Sequence, residues 1–279
     1  MNVIRTPFPR WIVAVSCATV VLCETAFAFR AHAPTTTDPI PQFDAVPAAS
    51  VPTPVFAPIL VYHNIRPTPD RVLSETDKQY DVTPEAFDAQ LSYLATEGWS
   101  TVGFDDLAAA LDGKKTLPEK SVVITLDDGR ETQFVYALPL LKKHGFTATF
   151  FIFTNAVGRE GYFTWDQLKG LLADGMAVGA HSRFHPYLTK IADDQELDAE
   201  IAGSKATLER GLGVTIDAFA YPFGMHDERV DARVKDAGFV IARGLRHDAV
   251  HRPDARYDLG GFITTGDLAR FKAILAGKR

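Results

Sequence analysis

Thiols are almost missing from this chain of 279 residues: its two cysteines, Cys17 and Cys23, both fall within the first 28 positions. If that segment is removed, the mature protein holds no thiol. Disulfides, thiolate nucleophiles and cysteine-held zinc are then excluded, so any metal must be bound by histidine, aspartate or glutamate. A basic excess is also lacking. Against 35 Asp and Glu stand 29 Lys and Arg, a net charge of −6, the opposite of what a general nucleic-acid binder carries. The apolar run from Trp11 to Leu22 is about a dozen residues long, short of the roughly 20 that a spanning helix needs.

That short run has a context. Arg5 and Arg10 precede it, and Ala26-Phe27-Ala28 follows with the A-x-A spacing of a cleavage site. Residues 1–28 therefore read as a secretory signal peptide, or as an uncleaved N-terminal anchor. Either way the chain is expected to be exported, to a periplasmic or extracellular place, with a membrane tether in the second case. Residues 29–57 are proline-rich, with Pro34, Pro39, Pro41, Pro47, Pro52 and Pro54 among Ala, Thr and Ser, and read as an extended linker. The remaining 58–279 read as one domain. With 46% apolar and 23% charged residues overall, the chain has an ordinary globular composition.

Within that domain, strand and helix patterns alternate. Ile59–Tyr62, Ser121–Leu126, Ala148–Phe153, Ala177–Ala180, Ala218–Tyr221 and Gly238–Ala242 have the short apolar character of buried strands. Between and after them lie helical stretches with start and stop residues in place, such as Thr83-Pro84 before and Gly98 after the first. Such alternation predicts a parallel sheet, most economically closed as a β/α barrel. In a barrel of that kind, chemistry collects where strands end.

The strand ends carry the polar residues. Asp127 and Asp128 follow the strand Ser121–Leu126, with Gly129 at the turn. Two adjacent carboxylates repel unless a cation sits between them; a divalent metal could take one and leave the other as a base, although Asp-Asp-Gly is also ordinary turn chemistry. His181 and His185 lie four apart after Ala177–Ala180, with Pro186 behind. Together with Asp128 they make two nitrogens and one carboxylate, a ligand count that leaves coordination positions open for catalysis. Tyr221-Pro222-Phe223-Gly224 ends another strand, and its turn presents a backbone N–H where an oxyanion could form, or is simply a tight turn. His63 follows the first strand, and Arg246-His247-Asp248 follows a later one.

Taken in this order, TLDDG (125–129), HSRFHP (181–186) and YPFG (221–224) resemble the NodB-homology domain of the polysaccharide deacetylases, carbohydrate esterase family 4. The opening ILVYHNI (59–65) resembles the branch that includes the poly-N-acetylglucosamine deacetylases. The resemblance implies a single distorted α/β barrel of seven strands and a hydrolase that removes N-acetyl groups from an amino-sugar polysaccharide. It implies that Asp128, His181 and His185 bind the metal, usually Zn²⁺, with Co²⁺ or Ni²⁺ as other candidates. Asp127 is implied as general base, His63 as general acid, and the backbone N–H of Phe223 as oxyanion donor. The chain departs from the family in one respect: Ala220 and the segment Leu259-Gly260-Gly261-Phe262 lack the arginine that holds the base. Arg130, Arg243, Arg246 and Arg256 are the possible substitutes. Two other readings are a glycan-binding relative without activity, and an esterase or amidase acting on O-acetyl glycans or small amides.

Overall fold

A computed structural model describes residues 53–68 and 79–277. The expected signal segment and residues 29–52 of the expected linker lie outside the described residues. The last part of that linker does not behave as one: Val55–Phe56 pairs antiparallel with Val250–His251, and Ala57 is fully buried with its N–H bonded to the Ala249 carbonyl. The folded domain thus starts a few residues before position 58, because apolar residues among the last prolines have a strand edge to cover.

In chain order the described strands are β1 (Val55–Phe56), β2 (Ile59–Tyr62), β3 (Asn64–Ile65), β4 (Asp81–Val82), β5 (Ser100–Thr101), β6 (Ser121–Leu126), β7 (Thr149–Ile152), β8 (Ala177–Ala180), β9 (Ala218–Ala220), β10 (Ile241–Arg243), β11 (Val250–His251) and β12 (Phe262–Ile263). Seven of them form one curled parallel sheet in the order β10-β9-β8-β7-β6-β2-β12. The seventh strand, which the pattern of residues did not locate, is β12. The outer strands β10 and β12 share no ladder; an isolated bridge joins Arg243 of β10 to Leu259, three residues before β12, so the barrel is distorted rather than evenly closed. β5 adds to the first half of β6, while the second half of β6 pairs with β7.

Side chains alternate across this sheet as a period of two requires. Ile59 and Val61 of β2, Val123 of β6, Phe151 of β7, Ala218 and Ala220 of β9 and Ile241 of β10 share the inner cluster, on which Phe104, Leu107 and Leu111 of the helix Phe104–Leu111 pack. Leu60, Tyr62, Ile124, Phe150, Ile152 and Phe219 face the outer cluster with the other helices. Helix Pro84–Glu97 begins on Thr83, whose side chain accepts from the Ala86 N–H, and stops at Gly98 in the left-handed region (φ 75°). Helix Asp194–Leu212 starts on Asp193 and stops at Gly213 in the same way.

One strand boundary differs with consequence. The expected strand Gly238–Ala242 lies instead at Ile241–Arg243. Gly238 has φ 83° and belongs to the stop of helix Glu228–Asp236, so the chain needs two further residues before it can pair. The shift brings Arg243 into the sheet, on the face of Ile241 and in register with Ala220.

Candidate active site and metal centre

Every site residue expected from the sequence stands at a strand's carboxyl end. Strands β2 and β6 are immediate parallel neighbours, with Tyr62 opposite Leu126 and the Asp127 N–H bonded to the Tyr62 carbonyl. His63 and Asp127 therefore come side by side through direct pairing; barrel closure is not needed to bring them together, contrary to what a separation of 64 positions suggests. Gln133, fully buried in the π-helical turn Gln133–Ala137, donates its amide to both the His63 carbonyl (2.7 Å) and the Asp127 carbonyl (2.5 Å) and clamps the two strand ends.

Asp128, His181 and His185 converge so that one ligand atom from each lies within 4.8 Å of the others. Asp128 Oδ1 is 3.8 Å from His181 Nε2 and 3.6 Å from His185 Nε2, and the two Nε2 atoms are 3.2 Å apart. His181 Nδ1 donates to the Ala220 carbonyl at 2.7 Å, which fixes the tautomer and leaves the Nε2 lone pair facing the centre. Burial pushes the His181 pKa down to about 4, against the opposing pull of Asp127; burial likewise lowers that of His185. Both rings are neutral near pH 7, as metal ligation requires. Two imidazoles and one carboxylate on open, converging vectors fit a divalent ion of the zinc type.

The two histidines sit on a loop, not on a helix turn. Ser182 and His185 both have positive φ (65° and 60°), and the Ser182 hydroxyl accepts the His185 N–H at 2.9 Å. Glu200, buried on helix Asp194–Leu212, accepts the N–H groups of Arg183 (3.0 Å) and Phe184 (2.8 Å) between the two histidines. This carboxylate was not legible in the sequence, where position 200 looks like one more charge on a solvated helix. Among the described residues, four non-glycine positions have positive φ: Asp128, Ser182, His185 and Phe223. All four belong to this site.

Asp127 is 2% exposed and bonded to Arg243, which is fully buried. Burial alone would raise the Asp127 pKa, but Arg243 and, behind it, His181 and His63 hold it below the usual carboxylate range. Of the four candidate arginines, only Arg243 meets Asp127. Arg130 lies 3.8 Å from Asp128 Oδ2 and over the Tyr162 ring, Arg246 pairs with Asp258, and Arg256 pairs with Asp112. Arg243 reaches Asp127 from the strand beside Ala220, and its guanidinium lies 5.0 Å from the centre of the Phe151 ring.

A cleft of about 310 Å³ opens over these groups, lined also by Asn64, Arg66, Tyr80, Asp81, Tyr221, Phe223 and Leu245. Arg66 and Asp81 form a two-pronged ion pair at its rim (3.0 and 2.6 Å). The Tyr80 ring meets that of His63 edge-on at 4.7 Å. Phe223 has φ 60° in the turn Pro222–Gly224, where the Gly224 and Met225 N–H groups bond back to Tyr221 and Pro222. Its ring packs on His185 at 4.6 Å and stacks on Tyr187 at 4.0 Å. Gly224 is obligatory there, since it has φ 66° and a methyl group would stand 2.6 Å from Leu245 Cβ. His247 is exposed and stacked on Phe262, away from this lining.

Known proteins resemble this chain in sequence and in fold. A family model described as "Polysaccharide deacetylase" matches residues 114–242. YxkH of Bacillus subtilis strain 168, named for the same family, is 26% identical over 206 residues, covering 74% of this chain and 70% of YxkH. The poly-beta-1,6-N-acetyl-D-glucosamine N-deacetylase of Staphylococcus aureus strain MRSA252 is 28% identical over 193 residues, covering 63% of this chain and 65%, just under two thirds, of that protein. Among solved structures, IcaB from Ammonifex degensii superposes with a TM-score of 0.65 at 27% identity, covering 79% of this chain and 96% of that one. In fold alone, the Streptococcus pyogenes deacetylase PplD superposes with a TM-score of 0.71 at 24% identity, over 81% of this chain and all of that one. In sequence and in fold, the chain is thus similar to the polysaccharide deacetylases.

Proposed function

We propose that this protein is an exported, zinc-type metal-dependent hydrolase that removes N-acetyl groups from an amino-sugar polymer resembling poly-N-acetylglucosamine, releasing acetate. The observation that carries this reading is the Asp128–His181–His185 cluster beside a second, arginine-held carboxylate in one open cleft. A pure binding protein has no use for that second carboxylate. A divalent ion held by the three ligands would lower the pKa of its water far below that of bulk water, toward about 7.

The rest of the chemistry falls to the chain's own groups. Asp127, kept ionised by Arg243, takes the proton of the attacking water. The Phe223 N–H donates to the oxygen that becomes an anion as the acetamide carbonyl turns tetrahedral. His63, beside Asp127 at the neighbouring strand end, gives the departing amine its proton. The signal-like N-terminus supports export, and the substrate named for the staphylococcal relative supports the polymer class.

The test is acetate release from oligomers of β-1,6- and β-1,4-linked N-acetylglucosamine, peptidoglycan and acetylxylan, before and after exhaustive chelation. Release from the amino-sugar polymers, its loss on chelation and its return with Zn²⁺ or Co²⁺ are expected. Undiminished release with metal content confirmed near zero would overturn the reading, and release from acetylxylan alone would make the protein an O-acetyl esterase.

His63→Ala separates the acid from the rest of the machinery. It should slow acetamide hydrolysis by about 10²–10⁴-fold, yet barely slow hydrolysis of an activated aryl acetate, whose leaving group needs no proton. Metal content should not change. Equal slowing of both substrates would make His63 a structural residue.

A further inference from the structure

His226 follows the turn of Tyr221–Gly224, and the catalytic assignment does not use it. Both of its ring nitrogens face carboxylates: Nδ1 lies 2.8 Å from Asp231 Oδ1 and Nε2 3.2 Å from Asp258 Oδ1. A neutral imidazole has one N–H and can satisfy only one of them; the imidazolium satisfies both. The ring also lies flat on Tyr221, with centroids 4.3 Å apart and planes 12° apart. That places a cation against an aromatic face. Its Nε2–Cδ2 edge lies close to the backbone after Arg243, since a methyl group on Gly244 would stand 3.2 Å from His226 Nε2.

These contacts join the parts that hold the reaction centre. Tyr221 opens the turn that carries the Phe223 N–H, and its own N–H bonds to the Arg243 carbonyl at 3.1 Å. Asp231 belongs to helix Glu228–Asp236, and Asp258 to the segment that bridges Arg243 through Leu259. We propose that His226, as an imidazolium, is a positioning residue: a brace that locks the Phe223 turn against the strand end bearing Arg243, so that oxyanion donor and base keep their spacing. This rests on the deacetylase reading of the same cleft.

The surrounding charges set the direction of its pH dependence. Burial of His226 opposes its protonation, but Asp231 and then Asp258 outweigh burial and raise its pKa above the ordinary histidine value. Also facing it are the Tyr221 hydroxyl, which donates to the Tyr257 carbonyl, and Arg246, which shares Asp258 at 2.6 Å and is half exposed. A histidine with a raised folded pKa contributes stability fully below about pH 6.5, and loses that contribution as pH rises through the folded value.

Three readouts test the brace. In His226→Gln, kcat should fall about tenfold on acetamide and on aryl acetate alike, with KM within about twofold, because the oxyanion forms in both reactions. In metal-free protein, the wild-type Tm should exceed that of His226→Gln at pH 6, and the gap should close as pH rises toward 9. Asp258→Asn, which keeps the ring and its stack on Tyr221, should show the same kcat pattern; the control Arg246→Gln should not. Unchanged kcat in both His226→Gln and Asp258→Asn, or a Tm gap constant across pH, overturns the proposal. Because aryl acetate hydrolysis and metal-free Tm need no glycan, a wild-type protein inert toward every glycan would sink the substrate assignment and leave this test intact.

Discussion

Asp128→Asn should emerge from purification without metal and without activity, whereas Asp127→Asn should keep its metal and lose about 10²–10⁴-fold in kcat. The two side chains are adjacent in sequence yet face different partners. Asp128 Oδ1 points at both imidazole Nε2 atoms, while Asp127 lies deeper and meets Arg243. An amide in place of Asp128 offers the ion a neutral oxygen and removes the only anionic donor of the cluster. An amide in place of Asp127 cannot accept the water's proton but leaves the three ligands alone. Metal analysis alongside kinetics reads both effects, and equal metal loss in the two variants would mean that the roles are wrong.

Arg243→Met should destabilise the metal-free protein by about 3–5 kcal/mol, because it strands the buried Asp127 carboxylate without a counter-charge. Methionine is unbranched and apolar, which should keep side-chain volume beside Phe151 and limit lost packing. Asp127→Asn on the Arg243→Met background should recover a large share, since no charge then remains to be stranded; chemical denaturation of the four proteins closes the cycle. Additive losses would show that the pair is not coupled. The same variant should slow turnover about 100-fold, because a base displaced by roughly 1 Å loses that much.

What the sequence made legible, and what it hid, follows from how each residue works. Asp127, Asp128, His181, His185 and Phe223 could be found because they are chemically distinctive and each stands just past an apolar run, where the end of a parallel strand must lie. His63 was found by the same rule, but its neighbour was not: that β2 lies beside β6 is a fact of sheet order, which one strand's residues do not encode. Arg243 was one of four arginines. Choosing it required the strand start to move from Gly238 to Ile241 and required the register that sets Arg243 against Ala220. Glu200, Gln133 and His226 were invisible for a related reason. Each acts through partners 5 to 70 positions away, so its spacing resembles that of any helix or loop residue.

The four left-handed residues bear on how this enzyme can be improved. Asp128, Ser182, His185 and Phe223 each hold a backbone conformation that costs an L-residue about 1–2 kcal/mol. Glycine at any of them would relieve that cost. A campaign that selects for heat resistance alone should therefore drift toward glycine or asparagine here, gaining melting temperature while dismantling the centre. Of the four, only Ser182 is neither a candidate ligand nor next to the oxyanion. It is the position where such a gain could be kept with activity intact, provided that asparagine's side chain takes over the bond to the His185 N–H. Thermostability and turnover are thus expected to be traded against each other at these few backbone positions, whereas at Arg243 and His226 they should fall together.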